Sequence, residues 1–226
     1  MKTVNIVNRP LYIIDDTISE DIEDKWSKFI LSDCHDPSHI YQDIGHDYMS
    51  EQQVVENRII VHQPELISNL EVISNTFKCL HRTMINTVKP GEYYVKTWYT
   101  NIMTPESQPW LHRDSRLGPE ESFTALWYPN LDWHPNWGGE TLFYHLDTTD
   151  TEFFNESLNY NKDKTELHTQ LNDMLYECEI TAVIPKPGRV VIFDSGILHS
   201  GRCPQHKTTR ISTALKIAAT STLSSC

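Results

Sequence analysis

At 226 residues the chain is long enough for one sizeable hydrophobic core and too short to make two full domains. Its formal net charge of -12, with no run of Lys or Arg, repels phosphate backbones and argues against nucleic acid as a partner. Five scattered cysteines without a Cys-x-x-Cys pair, no apolar leader and no apolar run of about 18 residues predict a soluble cytoplasmic protein with free thiols and no membrane association.

Residues 4–14 alternate loosely through Val4, Ile6, Leu11, Ile13 and Ile14, which predicts an edge strand interrupted by Pro10. Thr17-Ile18-Ser19-Glu20 fits a capping box with Thr17 as the cap, and Ile18, Ile22, Trp26, Phe29 and Ile30 then recur at helical spacing. The stretch 32–51 is polar and irregular. Its His35, His39 and His46 share no periodic face with a carboxylate and read as exposed and unliganded. A second helix starts near Pro64 and runs through Leu66, Ile67, Leu70, Ile73, Phe77 and Leu80. Both helices are expected to brace a sheet.

After Pro90-Gly91 the pattern changes to period two, with Tyr93, Val95, Thr97 and Tyr99 on one face and Tyr94, Lys96 and Trp98 on the other. Further strands are predicted over 122–128, 140–146, 176–184, 190–193 and 208–217. In the last of these, Ile211, Thr213 and Leu215 alternate against Ser212 and Ala214. Gly138-Gly139 reads as a tight turn at positive φ. Between the strands, Asp150 to Leu175 is rich in Asn, Glu and Lys, with sparse apolar positions at Phe153, Phe154, Leu158, Leu167, Leu171 and Leu175. It predicts a helical or partly irregular insertion on the outside. Many turn-separated strands after a helical block argue for a mainly β barrel or sandwich with N-terminal helices, not a parallel α/β sheet.

The chemistry concentrates in Pro109-Trp110-Leu111-His112-Arg113-Asp114-Ser115 and in Asp194-Ser195-Gly196-Ile197-Leu198-His199. Extended backbone points positions i and i+2 the same way, so His112 and Asp114 can pinch one ion, with His199 as third ligand. Two histidines and a carboxylate on one face of a metal leave the opposite positions free, which suits Fe(II) that must also bind a co-substrate and O2. The triplet alone is weak evidence. With 11 His and 15 Asp, about 0.7 His-x-Asp triplets arise by chance, and His145-Leu146-Asp147 is a second one.

Further pieces follow the triplet in order: Ala125-Leu126-Trp127-Tyr128-Pro129-Asn130 with Asp132-Trp133, Gly138-Gly139-Glu140-Thr141-Leu142-Phe143, Pro187 through Ser195, His199 and Arg210. With them, residues 93–217 resemble the 2-oxoglutarate- and Fe(II)-dependent oxygenases, within them the prolyl-4-hydroxylase-like branch. In that family the metal triplet precedes the Gly-Gly-Glu-Thr strand, which selects His112 and Asp114 over His145 and Asp147. The resemblance implies a double-stranded β-helix, a cupin-like jelly-roll, in a single domain 1–226. Residues 1–90 would be helical support, 91–217 the jelly-roll core and 148–175 the insertion. It implies Fe(II), 2-oxoglutarate and O2, with ascorbate as a candidate reductant.

The same resemblance places Arg210, eleven residues after His199, opposite the far carboxylate of 2-oxoglutarate, where a guanidinium fork pairs both oxygens and keeps its charge. Ser212 would donate to that carboxylate, Tyr128 would hydrogen-bond it, and Tyr99 would be a second tyrosine near the co-substrate. Asp114, a carboxylate where related halide-binding sites carry a small residue, points to hydroxylation. Asp194 and Ser195 position the His199 turn, Cys203 is incidental, and His134, His145, His168 and His206 read as hydrogen-bonded or exposed. Trp110, Arg116, Trp133 and Arg202 would line the substrate entrance or pack at the barrel rim. The family branch implies hydroxylation of an unactivated C–H bond, most simply of a prolyl residue in a peptide or protein. A free amino acid or other small molecule stays open as substrate, as does a non-catalytic sensor that binds metal or 2-oxoglutarate. A nucleic-acid demethylase is disfavoured by the charge, and the oligomeric state is not legible. Two departures bear on the substrate: the insertion, which could lie over the entrance, and the lead-in 100–108, which lacks the usual tyrosine.

Overall fold

Two residues at positive φ, Val7 and Asn8, turn the first segment back on itself, so the single edge strand predicted over 4–14 is a hairpin of β1 (Lys2–Ile6) and β2 (Arg9–Ile14). Pro10 pairs only with β1, near the hairpin end, and β2 pairs with a later strand from Leu11 onward. The first ninety residues are therefore more than helical support. The computed structural model describes residues 1–32, 70–107, 111–115, 121–150, 152–154, 165–205 and 208–219. The expectations for His35, His39, His46, the Pro64 helix start, Trp110, Arg116 and His206 fall outside them.

Helix α1 spans Glu20–Ser32, starting later than a Thr17 cap requires. The Thr17 hydroxyl donates back to the Ile14 carbonyl, and the Ser19 carbonyl accepts the first helical bond from Glu23 N. Its apolar stripe is as read: Ile18, Trp26, Phe29 and Ile30 are buried in one cluster, with Ile22 packed against it. Helix α2 (Leu70–Thr87) adds Phe77, Leu80 and Met84 to that cluster. Among the described residues no helix is long and apolar enough to cross a membrane.

The remaining strands are β3 (Tyr93–Met103), β4 (Ser122–Trp127), β5 (Thr141–Tyr144), β6 (Ile180–Val183), β7 (Val190–Asp194), β8 (His199–Gly201) and β9 (Arg210–Ala219). A third helix, α3 (Thr165–Glu177), separates β5 from β6. It overruns the strand predicted from 176, which begins only at Ile180. All recorded pairings are antiparallel, in a six-stranded sheet of order β1-β2-β7-β4-β9-β3 and a three-stranded sheet β6-β5-β8. This is the mainly β jelly-roll expected. The strict alternation predicted for β3 breaks at Lys96, because the register against β9 skips from Val95 to Thr97. The bulge returns Val95 and Trp98 to the same buried cluster.

Strand alternation gives the large sheet two buried faces. Ile211, Leu215 and Ile217 of β9, with Phe123, Ala125 and Trp127 of β4, face α1 and α2. Leu126, Val191, Phe193 and Ala214 face inward and meet Phe143 and Val183 of the small sheet. The candidate site lies on this inner face.

Candidate metal and co-substrate site

His112 and His199 are 87 residues apart in sequence, and the backbone joins them directly. An isolated antiparallel bridge pairs the two residues, each donating its N–H to the other's carbonyl at 2.9 Å. Asp114 N then donates to the Ser195 carbonyl at 2.9 Å. That turn is itself tied down, since Asp194 Oδ1 accepts from Gly196 N at 2.8 Å and from Arg9 at 2.6 Å. Asp194 and Ser195 thus position the segment as expected, with Arg9 as a contributor from the hairpin.

The side chains converge as the backbone directs. One ligand atom from each of His112, Asp114 and His199 lies within 4.8 Å of the others. His112 Nε2 is 3.6 Å from Asp114 Oδ1, and His199 Nε2 is 3.7 Å from Oδ2. His199 Nδ1 contacts the Ile197 carbonyl at 2.9 Å; a carbonyl only accepts, so the proton sits on Nδ1 and Nε2 offers its lone pair inward. Burial, then the neighbouring His112, push the His199 pKa down to about 4, which keeps the ring neutral at pH 7 and able to ligate. The rival pair is elsewhere. His145 Nε2 contacts the Thr181 hydroxyl, and the exposed Asp147 carboxylate accepts from Thr149 N.

The Asp114 side chain is 1% exposed, and both of its oxygens meet partners the sequence reading passed over. Thr124 Oγ1 donates to Oδ2 at 2.6 Å, and Lys216 Nζ lies 2.7 Å from Oδ1. Burial opposes ionisation of this carboxyl, but Lys216 foremost outweighs it and holds the group well below the usual carboxylate range. The missed signal was parity: Lys216 continues the Arg210, Ser212, Ala214 face of β9, the only long cation besides Arg210 in a strand of small and apolar residues.

Arg210 is fully buried and is held by neutral groups. Its Nε donates to the Gly139 carbonyl at 2.6 Å, Nη1 to Ser212 Oγ at 3.0 Å and Nη2 to Thr141 Oγ1 at 2.9 Å. Among the described residues it makes no ion pair. A buried guanidinium without a counter-ion is costly, and a bound carboxylate removes that cost. Tyr128 lies under it, the ring centre 5.3 Å from Arg210 Cζ, and its hydroxyl is 2.7 Å from Thr141 Oγ1. Thr141 therefore links Arg210 and Tyr128 and belongs with the predicted group. Tyr99 pairs with Ala214 across the β3–β9 register, and Lys216 Nζ lies 4.9 Å from its ring centre.

The flanking expectations divide. Trp133 is buried against Gly139 and Trp137, and Arg202 is exposed. Cys203 Sγ donates to the Ser107 carbonyl, and His134 Nδ1 accepts from Asn136 N.

A family model for the 2OG-Fe(II) oxygenase superfamily matches residues 98–217, more than half of the chain. The chain belongs to this superfamily. No curated protein sequence matches it. Among solved structures, a prolyl hydroxylase from Trichoplax adhaerens in complex with a hypoxia inducible factor oxygen degradation domain peptide is similar over 96% of this chain and 87% of that one, with TM-score 0.57 and 12% identity. HygX from Streptomyces hygroscopicus with iron bound is similar over 93% and 82%, with TM-score 0.55 and 12% identity. SnoN, a non-heme alpha ketoglutarate dependent epimerase from nogalamycin biosynthesis, is similar over 92% and 78%, with TM-score 0.50 and 11% identity. These likenesses bear on the fold.

As a 2OG-Fe(II) oxygenase the chain is a dioxygenase that uses Fe(II), 2-oxoglutarate and O2. The residues present fit that set. Two imidazoles and one carboxylate form a donor set suited to Fe(II), and Arg210 is a buried cation that makes no ion pair among the described residues.

Proposed function

We propose that His112, Asp114 and His199 hold Fe(II), that Arg210 with Ser212 takes the far carboxylate of 2-oxoglutarate, and that the reaction hydroxylates an unactivated C–H bond of a prolyl residue in a peptide or protein. The observation that carries this reading is the convergence of the three ligand atoms within 4.8 Å, on the same inner face as a buried arginine in no ion pair among the described residues. Fe(II) held by these three residues would supply the chemistry that activates O2 with 2-oxoglutarate inside the pocket.

The protein's part is positioning. The His112–His199 bridge sets the imidazoles, Thr124 fixes one Asp114 oxygen, and the Ile197 carbonyl fixes the His199 tautomer. Ser212 Oγ accepts from Arg210 and keeps its own proton to donate to the co-substrate. Tyr128 Oη lies 2.7 Å from Thr141 Oγ1, which couples it to the arginine that would take that carboxylate.

The prolyl assignment is supported by the likeness to a prolyl hydroxylase seen with a peptide. The second reading, a small-molecule substrate, is favoured by the likeness to SnoN, an epimerase from nogalamycin biosynthesis. Incubation with Fe(II), 2-oxoglutarate, ascorbate and either peptide pools or small molecules separates them. The expected result is succinate coupled to a peptide that gains one oxygen, with both lost in Asp114→Ala. Succinate coupled only to a small molecule selects the second reading. Binding of 2-oxoglutarate with no succinate across all pools would make the protein a sensor.

A further inference from the structure

Lys216 stands directly across the strand pairing from Thr124, and both side chains reach one carboxylate. Nζ is 2.7 Å from Asp114 Oδ1, in a side chain only 17% exposed. The ammonium also lies 4.9 Å from the centre of the Tyr99 ring, whose face attracts a cation. The oxygen it contacts is the one 3.6 Å from His112 Nε2. An ammonium therefore already shares the single carboxylate of the donor set, and a divalent cation placed among the three ligands must share it too. Charges of +1 and +2 that close together in a dry site repel strongly.

We infer that Lys216 is a resident counter-cation of the metal centre, a positioning residue that holds Asp114 in place in the metal-free chain and competes with the metal for it. The inference rests on the triad being the metal site. Charge counting extends it: Asp114 at -1, Lys216 and Arg210 at +1 each and a divalent metal leave the pocket at +3, and a dianion lowers that to +1. Metal and 2-oxoglutarate then bind more tightly together than apart, and each raises the other's affinity by the same factor.

The test uses the full chain and Mn(II), with the free aqueous ion counted by electron paramagnetic resonance, with and without 2-oxoglutarate. Lys216→Gln keeps an N–H for Asp114 and removes the charge; Lys216→Arg keeps the charge. Without 2-oxoglutarate, Lys216→Gln should bind Mn(II) about tenfold tighter than wild type or more, and should gain less when 2-oxoglutarate is added, while Lys216→Arg follows wild type. Equal or weaker binding by Lys216→Gln, or equal tightening by Lys216→Arg, overturns the inference. Should Lys216→Gln fail to fold, the wild type alone still tests it, because Mn(II) affinity unchanged by 2-oxoglutarate also overturns it. Mn(II) binding that survives Asp114→Ala overturns the triad reading itself.

Discussion

Buried ionisable side chains carry most of this protein's specific chemistry, and Glu23 shows that they also matter away from the site. It is 1% exposed on α1, and its Oε1 accepts from Trp127 Nε1 at 2.8 Å and from Gly188 N at 2.5 Å, which pins the helix to the β6–β7 turn. Burial raises its pKa in spite of both hydrogen bonds. A raised folded-state pKa means that the contribution of Glu23 is fully present below the unfolded value and is lost as pH rises through the folded one. Glu23→Gln keeps an acceptor without the charge. It should be more stable than wild type at pH 7.5, with the gain vanishing near pH 4, as measured by urea unfolding at the two pH values.

At the scale of elements, a turn and a helix hold the site in shape. The Gly138-Gly139 turn has φ of 74° at both residues, as the sequence predicted. The tertiary structure adds a second demand at Gly139, where a Cβ would lie 2.6 Å from Trp133 Cζ2 and 3.1 Å from Arg210 Cδ. The Gly139 carbonyl is also the anchor of Arg210 Nε. Gly139→Ala should therefore destabilise the fold by about 1–3 kcal/mol and raise the KM for 2-oxoglutarate, in thermal unfolding and in succinate assays respectively. Helix α3 acts from the other side. Leu171, with Met174 and Leu175 packed alongside, meets Leu198 and Leu111, the outward neighbours of His199 and His112. Among the described residues the insertion thus braces the ligand segments from behind.

For the whole molecule, the site lies where the two sheets meet. His112 and His199 belong to the small-sheet side, whereas the Asp114 carboxylate is gripped by Thr124 and Lys216 of the large sheet. A metal bound to all three ligands crosslinks the sheets in the native state alone, so it should stabilise by mass action. At a hundredfold excess over Kd this is about 2.7 kcal/mol. In a chain of this length that corresponds to a Tm rise of about 5–10 °C, read by calorimetry with Mn(II), reversed by chelator and absent in Asp114→Ala.

The sequence by itself determined what depends on local pattern. The α1 stripe, the inward parity of Arg210 and Ser212, and the tight Gly138-Gly139 turn follow from the periods of helix and strand and from φ preferences. The order of motifs then chose His112 and Asp114 over His145 and Asp147. Only the tertiary structure decided the rest, because register and cross-strand partners are non-local. A skipped residue at Lys96 shifts the faces of β3, and a two-residue bridge, too short to leave a pattern, joins His112 to His199. Lys216 looks like any strand lysine until the β4–β9 register sets it beside Thr124 on Asp114, since its role depends on what lies across the sheet.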